Sequence, residues 1–293
     1  MSKKSLFRLS NEIFNTPHLI TPQAFDTVLT YLEARNGFIP NAMIPNNNDM
    51  EDDSEDETPD DMDDFDESPL PVVVIDVCGT LTYKPVMTLC GEVGTSYQSL
   101  LEAVEDSVEA GATTIILNMS SGGGQASHVF EYCEEMRKIC DEANVKLIAY
   151  IDEMACSAAY AIAVIADEVY ANPSASVGSI GCVVSLLDTS KAMEMEGYKR
   201  IFITSGKNKV PFDEVGAFKE SFLEEIQASV DKLNTEFCDF VSKYSGIDSK
   251  IIRDFEAAVF DADEALDKGL INGIMTNREF VSYVVSQYGE QNA

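Results

Sequence analysis

A serine at the junction of a predicted strand and a predicted helix is the first residue in this chain that could do chemistry. The strand is the short β-prone run 146–151, and the helix is the almost wholly apolar stretch 158–166. Ser157 between them lies at a helix N-terminus, where unpaired backbone N–H groups favour a developing negative charge. On this stretch alone, helix capping is the more common role for a serine.

A nucleophilic serine needs a base, and lysine is the stronger candidate here. The chain has two histidines: His18 lies in the N-terminal segment and His128 on a predicted helix face, so neither favours a Ser-His-Asp triad. Lys207 and Lys209 lie in a turn after a predicted strand at 200–203. Desolvation lowers the pKa of an enclosed lysine and lets it accept a proton, whereas a solvated loop lysine stays charged.

A glycine-rich turn from Ser120 to Gly124 follows the predicted strand 113–118. Consecutive glycines let backbone N–H groups point into a cleft, as an oxyanion hole requires. The turn lacks the GKS, GKT and GxGxxG patterns of phosphate-binding loops, so a phosphate site is not indicated. Cys156 is a rival nucleophile, but its side chain should point away from that of Ser157, which favours a structural thiol.

Apolar runs and amphipathic stretches alternate from Val72 onward and indicate an α/β domain with a largely parallel sheet covered by helices on both faces. The expected strands are 72–77, 113–118, 146–151, 168–171 and 200–203. The expected helices are 97–110, 125–142, 158–166, 187–196, 215–244, 249–256 and 262–268.

The formal net charge of −31 is distributed unevenly along the chain. Acidic residues dominate from Asp49 to Glu67, and no Lys or Arg occurs from Asn46 to Tyr83. A block of this kind repels itself and cannot build a core. We therefore divide the chain into a partly helical lead segment (1–45), an acidic disordered linker (46–71) and a folded domain (72–293). The acidity argues against nucleic-acid binding, because phosphate contacts need Lys and Arg.

Composition also excludes several classes of protein. No run of about 18 apolar residues occurs, so no membrane-spanning helix is expected, and the basic N-terminus lacks the apolar stretch of a signal peptide. The seven cysteines show no CxxC spacing, which indicates free thiols in a reducing compartment and neither a disulfide framework nor a zinc site. We expect a cytoplasmic protein that uses no metal and no cofactor.

Four ordered motifs together resemble the signal peptide peptidase A family of Ser-Lys proteases, which share the Clp protease/crotonase fold. Within that family the chain is most similar to the lambda-type capsid assembly (prohead) proteases of phages. Lys209 stands 52 positions after Ser157, which also fits the family. The motifs are Ser120-Ser121-Gly122-Gly123, Ala155-Cys156-Ser157-Ala158-Ala159-Tyr160, Val177-Gly178-Ser179-Ile180-Gly181 and Ser205-Gly206-Lys207-Asn208-Lys209.

The resemblance implies a role for each matching residue. Ser157 matches the nucleophile, Lys209 the general base, and Ser179 a serine that orients the lysine. The backbone N–H groups of Gly122 and Ala158 match the oxyanion hole. Substrate is expected to bind as an added β-strand beside five residues of the glycine-containing loops, namely Gly123, Gly124, Gly178, Ile180 and Gly181.

The implied function is that of a serine endopeptidase, specifically a prohead protease that cleaves scaffold, capsid or portal proteins inside the assembling prohead in the host cytoplasm. The family further implies a homo-oligomeric ring, in which some members take the lysine from the adjacent subunit. We also expect self-cleavage between about residues 46 and 71 of the acidic linker. Ser121 stands where the family has proline, a departure that we expect to loosen the oxyanion turn.

Three other functions stay open on the sequence. The chain could be a cytoplasmic signal-peptide-peptidase-like protease of a bacterial cell, so that phage and cellular origins are not distinguished. A crotonase-type acyl-CoA enzyme would share the fold, but it needs a catalytic acid pair and an acyl-CoA pocket that the motifs do not indicate. The third is a non-catalytic ring or scaffold partner, because a chain can contain every motif residue without bringing them together in a working site.

Overall fold

The structure, a computed structural model, describes residues 18–21, 72–88, 91–92, 94–199, 201–206, 209–213 and 216–288. The acidic linker 46–71, with its expected cleavage site, and the helical pattern expected after Thr21 lie outside the described residues. Lys207 lies outside them as well.

Strands and helices alternate through most of the described chain. The strands are β1 (His18–Ile20), β2 (Val72–Cys78), β3 (Met87–Thr88), β4 (Gly91–Glu92), β5 (Thr114–Ser121), β6 (Gly123–Gln125), β7 (Lys146–Cys156), β8 (Glu168–Ala171), β9 (Ser176–Gly178), β10 (Val259–Phe260) and β11 (Gly273–Ile274). The helices are α1 (Tyr97–Glu109), α2 (Val129–Ala143), α3 (Ala158–Ala163), α4 (Ser190–Met195), α5 (Glu220–Ser245), α6 (Ser249–Asp254), α7 (Ala262–Asp267) and α8 (Asn277–Tyr288).

The central sheet has the strand order β10-β9-β7-β5-β2, and β8 with β11 branches from β7. Strand β7 pairs in parallel with β5, β8 and β9, and β2 pairs in parallel with β5; β10 runs antiparallel to β9. The largely parallel α/β fold expected from the sequence is therefore confirmed. Parallel strands buried on both faces need continuous apolar runs, and the buried run 115–117 in β5 is one example.

Several expected elements differ from the structure, and the helix expected from residue 215 begins at Glu220. The helix expected from residue 125 begins at Val129, because residues 123–125 form β6 instead. The strand expected at 200–203 is wrong: residues 201–203 are exposed and pair with no described strand. Strand β7 runs five residues past the expected end, because Met154 to Cys156 pair with β9. Helix α8 lies beyond the last expected helix and stacks Phe280 on Tyr150, with 4.2 Å between the ring centroids.

Helix α3 is buried along its whole length and follows directly on the end of β7. Four of its six residues are alanines, which let neighbouring elements approach the helix backbone closely. Tyr160 is its one polar side chain, and its hydroxyl donates a 2.8 Å hydrogen bond to the carbonyl of Leu270. Burial raises the pKa of Tyr160 well above its usual value, so this hydroxyl stays protonated. The bond therefore ties the helix that follows Ser157 to the C-terminal part of the domain.

We expect Tyr160→Phe to lower the free energy of unfolding by about 1–3 kcal/mol, because the buried Leu270 carbonyl loses its donor. Tyr198→Phe is the matched control, since Tyr198 is largely exposed. Urea unfolding of both variants gives the comparison. Equal free energies of unfolding for the two variants would contradict the anchoring role of Tyr160.

Candidate active site

Ser157 has an unusual backbone conformation for a residue with a side chain. Its φ is 57° and its ψ is −119°, and the residue is fully buried at the turn between β7 and α3. Such a conformation costs free energy and persists only where the surroundings enforce it. The Ser157 N–H donates a 2.8 Å hydrogen bond to the Gly178 carbonyl, which holds the turn against the end of β9. Strained serines at strand-to-helix turns are typical of nucleophiles.

The hydroxyl of Ser157 does not cap the helix. No side-chain capping bond is present at this helix start, although Ser157 occupies the N-cap position. Instead, Ser157 Oγ donates to the carbonyl of Gly181 at 3.3 Å. The capping interpretation is therefore wrong, and the hydroxyl is directed toward the loop of the GSIG motif.

The loop 178–181 is packed too closely for larger residues. A Cβ at Gly178 would lie 2.8 Å from the Ala258 carbonyl oxygen, and a Cβ at Gly181 would lie 2.5 Å from the Cβ of Ala257. Ser179, between these glycines, has a φ of 51° and donates its N–H to the same Ala258 carbonyl at 2.8 Å. Ile180 is buried. The segment 257–258 thus fixes the loop that accepts the Ser157 hydroxyl.

The glycine-rich turn is held by a backbone bridge to Leu81. The Leu81 N–H donates to the Gly123 carbonyl at 3.0 Å, and the Gln125 N–H donates to the Leu81 carbonyl at 2.9 Å. A Cβ at Gly124 would lie 1.9 Å from the Leu81 oxygen, so this position requires glycine. Gly123 has a φ of 99°, which likewise favours glycine.

Ser121 ties this turn instead of loosening it. Its buried hydroxyl donates to the Gly79 carbonyl at 2.6 Å and accepts the Gly123 N–H at 3.1 Å. A proline at this position could make neither bond. The serine therefore stabilises the turn through two hydrogen bonds, where proline would do so through its rigid ring. The expectation of a looser turn is wrong for this reason.

Gly122 and Ala158, the two expected oxyanion donors, are both buried. Ala158 is the first residue of α3, and a first-turn N–H has no acceptor within its own helix. The carbonyl of Gly122 accepts the N–H of Thr21 at 2.8 Å.

Lys209 does not meet Ser157 in the single chain. Its side chain is exposed, and the described residues offer its ammonium neither a hydrogen bond nor an ion pair. Its own N–H makes a long 3.4 Å hydrogen bond to the Gly206 carbonyl. Among the described residues, the Ser157 hydroxyl therefore bonds to the loop 178–181, and the Lys209 side chain bonds to neither of them.

The side chains of Cys156 and His128, the alternatives to Ser157 and Lys209, make their contacts elsewhere. The Cys156 thiol points to the carbonyl of Ser176, with 3.7 Å between sulfur and oxygen, and burial raises its pKa to about 12. A thiol that stays protonated at neutral pH is a poor nucleophile. The ring of His128 stacks on Tyr83 with 4.3 Å between centroids, and its Nδ1 lies 2.9 Å from a carboxylate oxygen of Glu131.

Sequence analysis missed a strand that lies along the glycine-rich turn. Strand β1 pairs antiparallel with β6 and thereby covers Gly123 and Gly124. A signal was present: Pro17 and Pro22 bracket the β-prone pair Leu19-Ile20. Three residues are too few to show a period, so the pattern did not stand out.

No helix among the described residues is long and apolar enough to cross a membrane. No group of three or more His, Cys, Asp or Glu side chains among them is arranged to hold a metal ion.

Comparison with known proteins gives a family match and several relatives. The model of peptidase family S49 matches residues 140–288. Capsid assembly protease C of Escherichia phage lambda is 26% identical over 215 residues, covering 72% of this chain and 48% of the relative. The head-tail preconnector protein GP5 of Enterobacteria phage P21 is 24% identical over 220 residues, covering 73% of this chain and 43% of the relative. This chain therefore spans about half the length of the curated relatives it matches.

A cellular protein and a solved structure are also similar. The probable protease SohB of Haemophilus influenzae is 24% identical over 178 residues, covering 61% of this chain and 48% of the relative. The solved structure of 1510-N, a membrane-bound stomatin-specific protease, covers 72% of this chain and 78% of its own, with a TM-score of 0.41 and 14% identity.

We expect Ser121→Ala to lower the free energy of unfolding by about 1–3 kcal/mol, since the Gly123 N–H and the Gly79 carbonyl both lose a partner. The neighbouring Ser120→Ala is the control, because the Ser120 hydroxyl bonds to the carboxylate of Glu153 and not to the turn. Chemical unfolding of both variants measures the difference. A smaller loss for Ser121→Ala than for Ser120→Ala would refute the anchoring of the turn by Ser121.

Proposed function

Because the chain belongs to peptidase family S49, we propose that it is a serine endopeptidase in which Ser157 is the nucleophile and Lys209 the general base. The observation that supports this most directly is the conformation of Ser157. A buried serine with positive φ, whose hydroxyl does not cap the helix that it precedes, fits a nucleophile far better than a structural residue.

The proposed reaction proceeds through an acyl-enzyme. The neutral amine of Lys209 takes the proton of Ser157 Oγ, and this oxygen forms a bond to the carbonyl carbon of the substrate. The N–H groups of Gly122 and Ala158 stabilise the negative charge on the carbonyl oxygen. The lysine ammonium then gives its proton to the leaving nitrogen as the peptide bond breaks. A water molecule, deprotonated by the same amine, releases the acyl group and restores the serine.

Lys209 must be enclosed before it can act in this way. A lysine accepts a proton at neutral pH only where desolvation disfavours its charged form. In the single chain the Lys209 side chain is exposed, so another part of the assembly has to cover it.

The chain segment that precedes Lys209 supports enclosure by a neighbouring subunit. Three of its large apolar side chains are exposed: Ile203 is 97% exposed, Met195 82% and Ile201 75%. Exposed apolar patches mark protein interaction sites. We therefore propose a homo-oligomeric ring in which each Lys209 completes the site of the adjacent subunit, because a head-to-tail interface can close into a ring.

Ser179 and the glycine loops fit the remaining roles. Ser179 is buried, and its backbone N–H bonds to the Ala258 carbonyl. We propose that its hydroxyl orients an arriving lysine amine. The substrate would add as an extended strand beside Gly123 and Gly124 on one side and the loop 178–181 on the other, recognised through its main chain.

The proposed substrates follow from the relatives. Two of them are named as a capsid assembly protease and a head-tail preconnector protein. We propose that this chain cleaves phage scaffold, capsid or portal proteins during head assembly in the host cytoplasm. The relative named a probable protease SohB leaves a cellular protease as the alternative within the same family.

We expect Ser157→Ala and Lys209→Ala each to reduce the hydrolysis of casein, or of cognate capsid and scaffold proteins, by about a thousandfold or more. Cys156→Ala should stay active, because the native thiol is protonated and points away. Lys199→Ala is the matched lysine control, since Lys199 is exposed nearby in the chain.

The assay also separates the alternatives. Full activity of Lys209→Ala would overturn the dyad. Hydrolysis of an acyl-CoA without proteolysis would favour a crotonase-type enzyme. A native protein that forms the ring and cleaves nothing would favour a non-catalytic partner.

We expect co-expressed Ser157→Ala and Lys209→Ala subunits to form active mixed rings. If Lys209 serves the adjacent subunit, a random one-to-one mixture regains about one quarter of the native sites, since each needs an intact serine and an intact neighbouring lysine. If Lys209 acts within its own subunit, mixed rings stay inactive. Casein hydrolysis by rings purified through two different tags decides between these outcomes.

A further inference from the structure

The N-terminal strand β1 lies along the same edge of the glycine-rich turn where a substrate strand is expected. Its register pairs His18 with Gln125, Leu19 with Gly124 and Ile20 with Gly123. The Thr21 N–H continues the ladder with a 2.8 Å hydrogen bond to the Gly122 carbonyl, and Thr21 is buried.

Strand β6 uses its other edge for the folded domain. The Gly123 carbonyl and the Gln125 N–H both bond to Leu81. In an antiparallel ladder these groups alternate with those that face the opposite strand, so the groups of Gly122 and Gly124 face β1. Four residues from the lead segment therefore occupy the edge that an incoming substrate needs.

The register carries the ladder on to Thr21, which stands opposite Gly122 and donates its N–H to the Gly122 carbonyl. In an extended strand the carbonyl of a residue faces the same side as its N–H, so we infer that the carbonyl of Thr21 is directed toward Gly122, the proposed oxyanion donor. The bond that follows this carbonyl joins Thr21 to Pro22.

We propose that residues 18–21 bind the active site as a substrate-like strand and hold the protease inactive. This inference rests on the proposed function of Gly122 and Ser157. Thr21 occupies the position of the residue whose carbonyl is attacked, and Leu19 lies two residues before it on the same ladder. The lead segment is thus an internal competitor for protein substrates.

In this proposal, Pro22 prevents the enzyme from cleaving its own N-terminal segment. The nitrogen of Pro22 carries a ring carbon in place of hydrogen. That ring crowds the leaving nitrogen, to which the lysine has to deliver a proton. Proline also favours an extended conformation in the residue before it, so Thr21 is preorganised for the strand.

Covalent attachment strengthens the competition. A segment joined to the domain competes intramolecularly, at an effective concentration set by the connecting chain. A cut in the linker 46–71 would turn it into a free peptide that dissociates and dilutes. The self-cleavage expected in that linker would then be the activating step.

The first test uses Thr21→Pro in the full chain, with Thr21→Ser as the matched control. Proline removes the N–H that bonds to Gly122, whereas serine keeps both the N–H and a hydroxyl. Hydrogen exchange of the amides of Gly122 and Gly124, which face β1, should accelerate about five- to tenfold in Thr21→Pro only, as expected for the loss of one hydrogen bond. The kcat/KM for casein peptides should rise by a similar factor.

The second test uses Pro22→Ala, which replaces the resistant bond by an ordinary one. We expect the enzyme to hydrolyse the bond between residues 21 and 22, with the addition of one water molecule. Intact-mass spectrometry should show loss of residues 1–21, and the double variant Pro22→Ala/Ser157→Ala should stay whole.

The results distinguish this inference from the proposed function. Equal exchange at the amides of Gly122 and Gly124 in Thr21→Pro and Thr21→Ser overturns the inference, whether or not the protein is active. A chain that hydrolyses casein but leaves Pro22→Ala uncut also overturns it, while the protease proposal stands. Faster exchange in Thr21→Pro without any Ser157-dependent hydrolysis would support the docking of β1 and contradict the protease.

Discussion

The enforced left-handed backbone of Ser157 is the constraint on which the site depends. The hydrogen bond from its N–H to the Gly178 carbonyl joins the end of β7 to the end of β9, and the buried helix α3 fixes the other side of the turn. With the backbone held in this way, the hydroxyl reaches the Gly181 carbonyl and not the helix end. The strain is maintained by the parallel sheet, since adjacent parallel strands end at the same edge.

Both glycine loops are also constrained, because neighbouring segments pack closely against their backbone. Gly124 lies against the Leu81 carbonyl and Gly181 against Ala257, so neither position has room for a side chain. The rigid half of the site is therefore built from main-chain groups locked by neighbouring main chain. Lys209, the proposed base, differs from these groups, because it lies in an exposed segment.

The sequence was sufficient to predict the fold class and the parallel strands, because buried strands need continuous apolar runs such as 146–151. It also placed Ser157 at the start of a helix that follows a strand, because that pattern is local. It misassigned 201–203, since an exposed apolar run has the same sequence pattern as one buried in a sheet. It missed β1 and β6, because their pairing is a long-range contact between three-residue segments without periodicity. The exposure of Lys209 could not be predicted, because the residue types in its turn fit a solvated and an enclosed lysine equally well.

The two glycines at positions 123 and 124 have a consequence for the selectivity of the proposed protease. Glycine has no side chain, so a substrate strand bound beside them would be recognised there only through the spacing of its amides and carbonyls. Such recognition would distinguish unfolded segments from folded domains and would depend little on residue identity. The folding state of a substrate, and not its sequence, would then decide whether it is cleaved. A protein would be cleaved while a segment of it is still unfolded, and it would resist cleavage once that segment has folded.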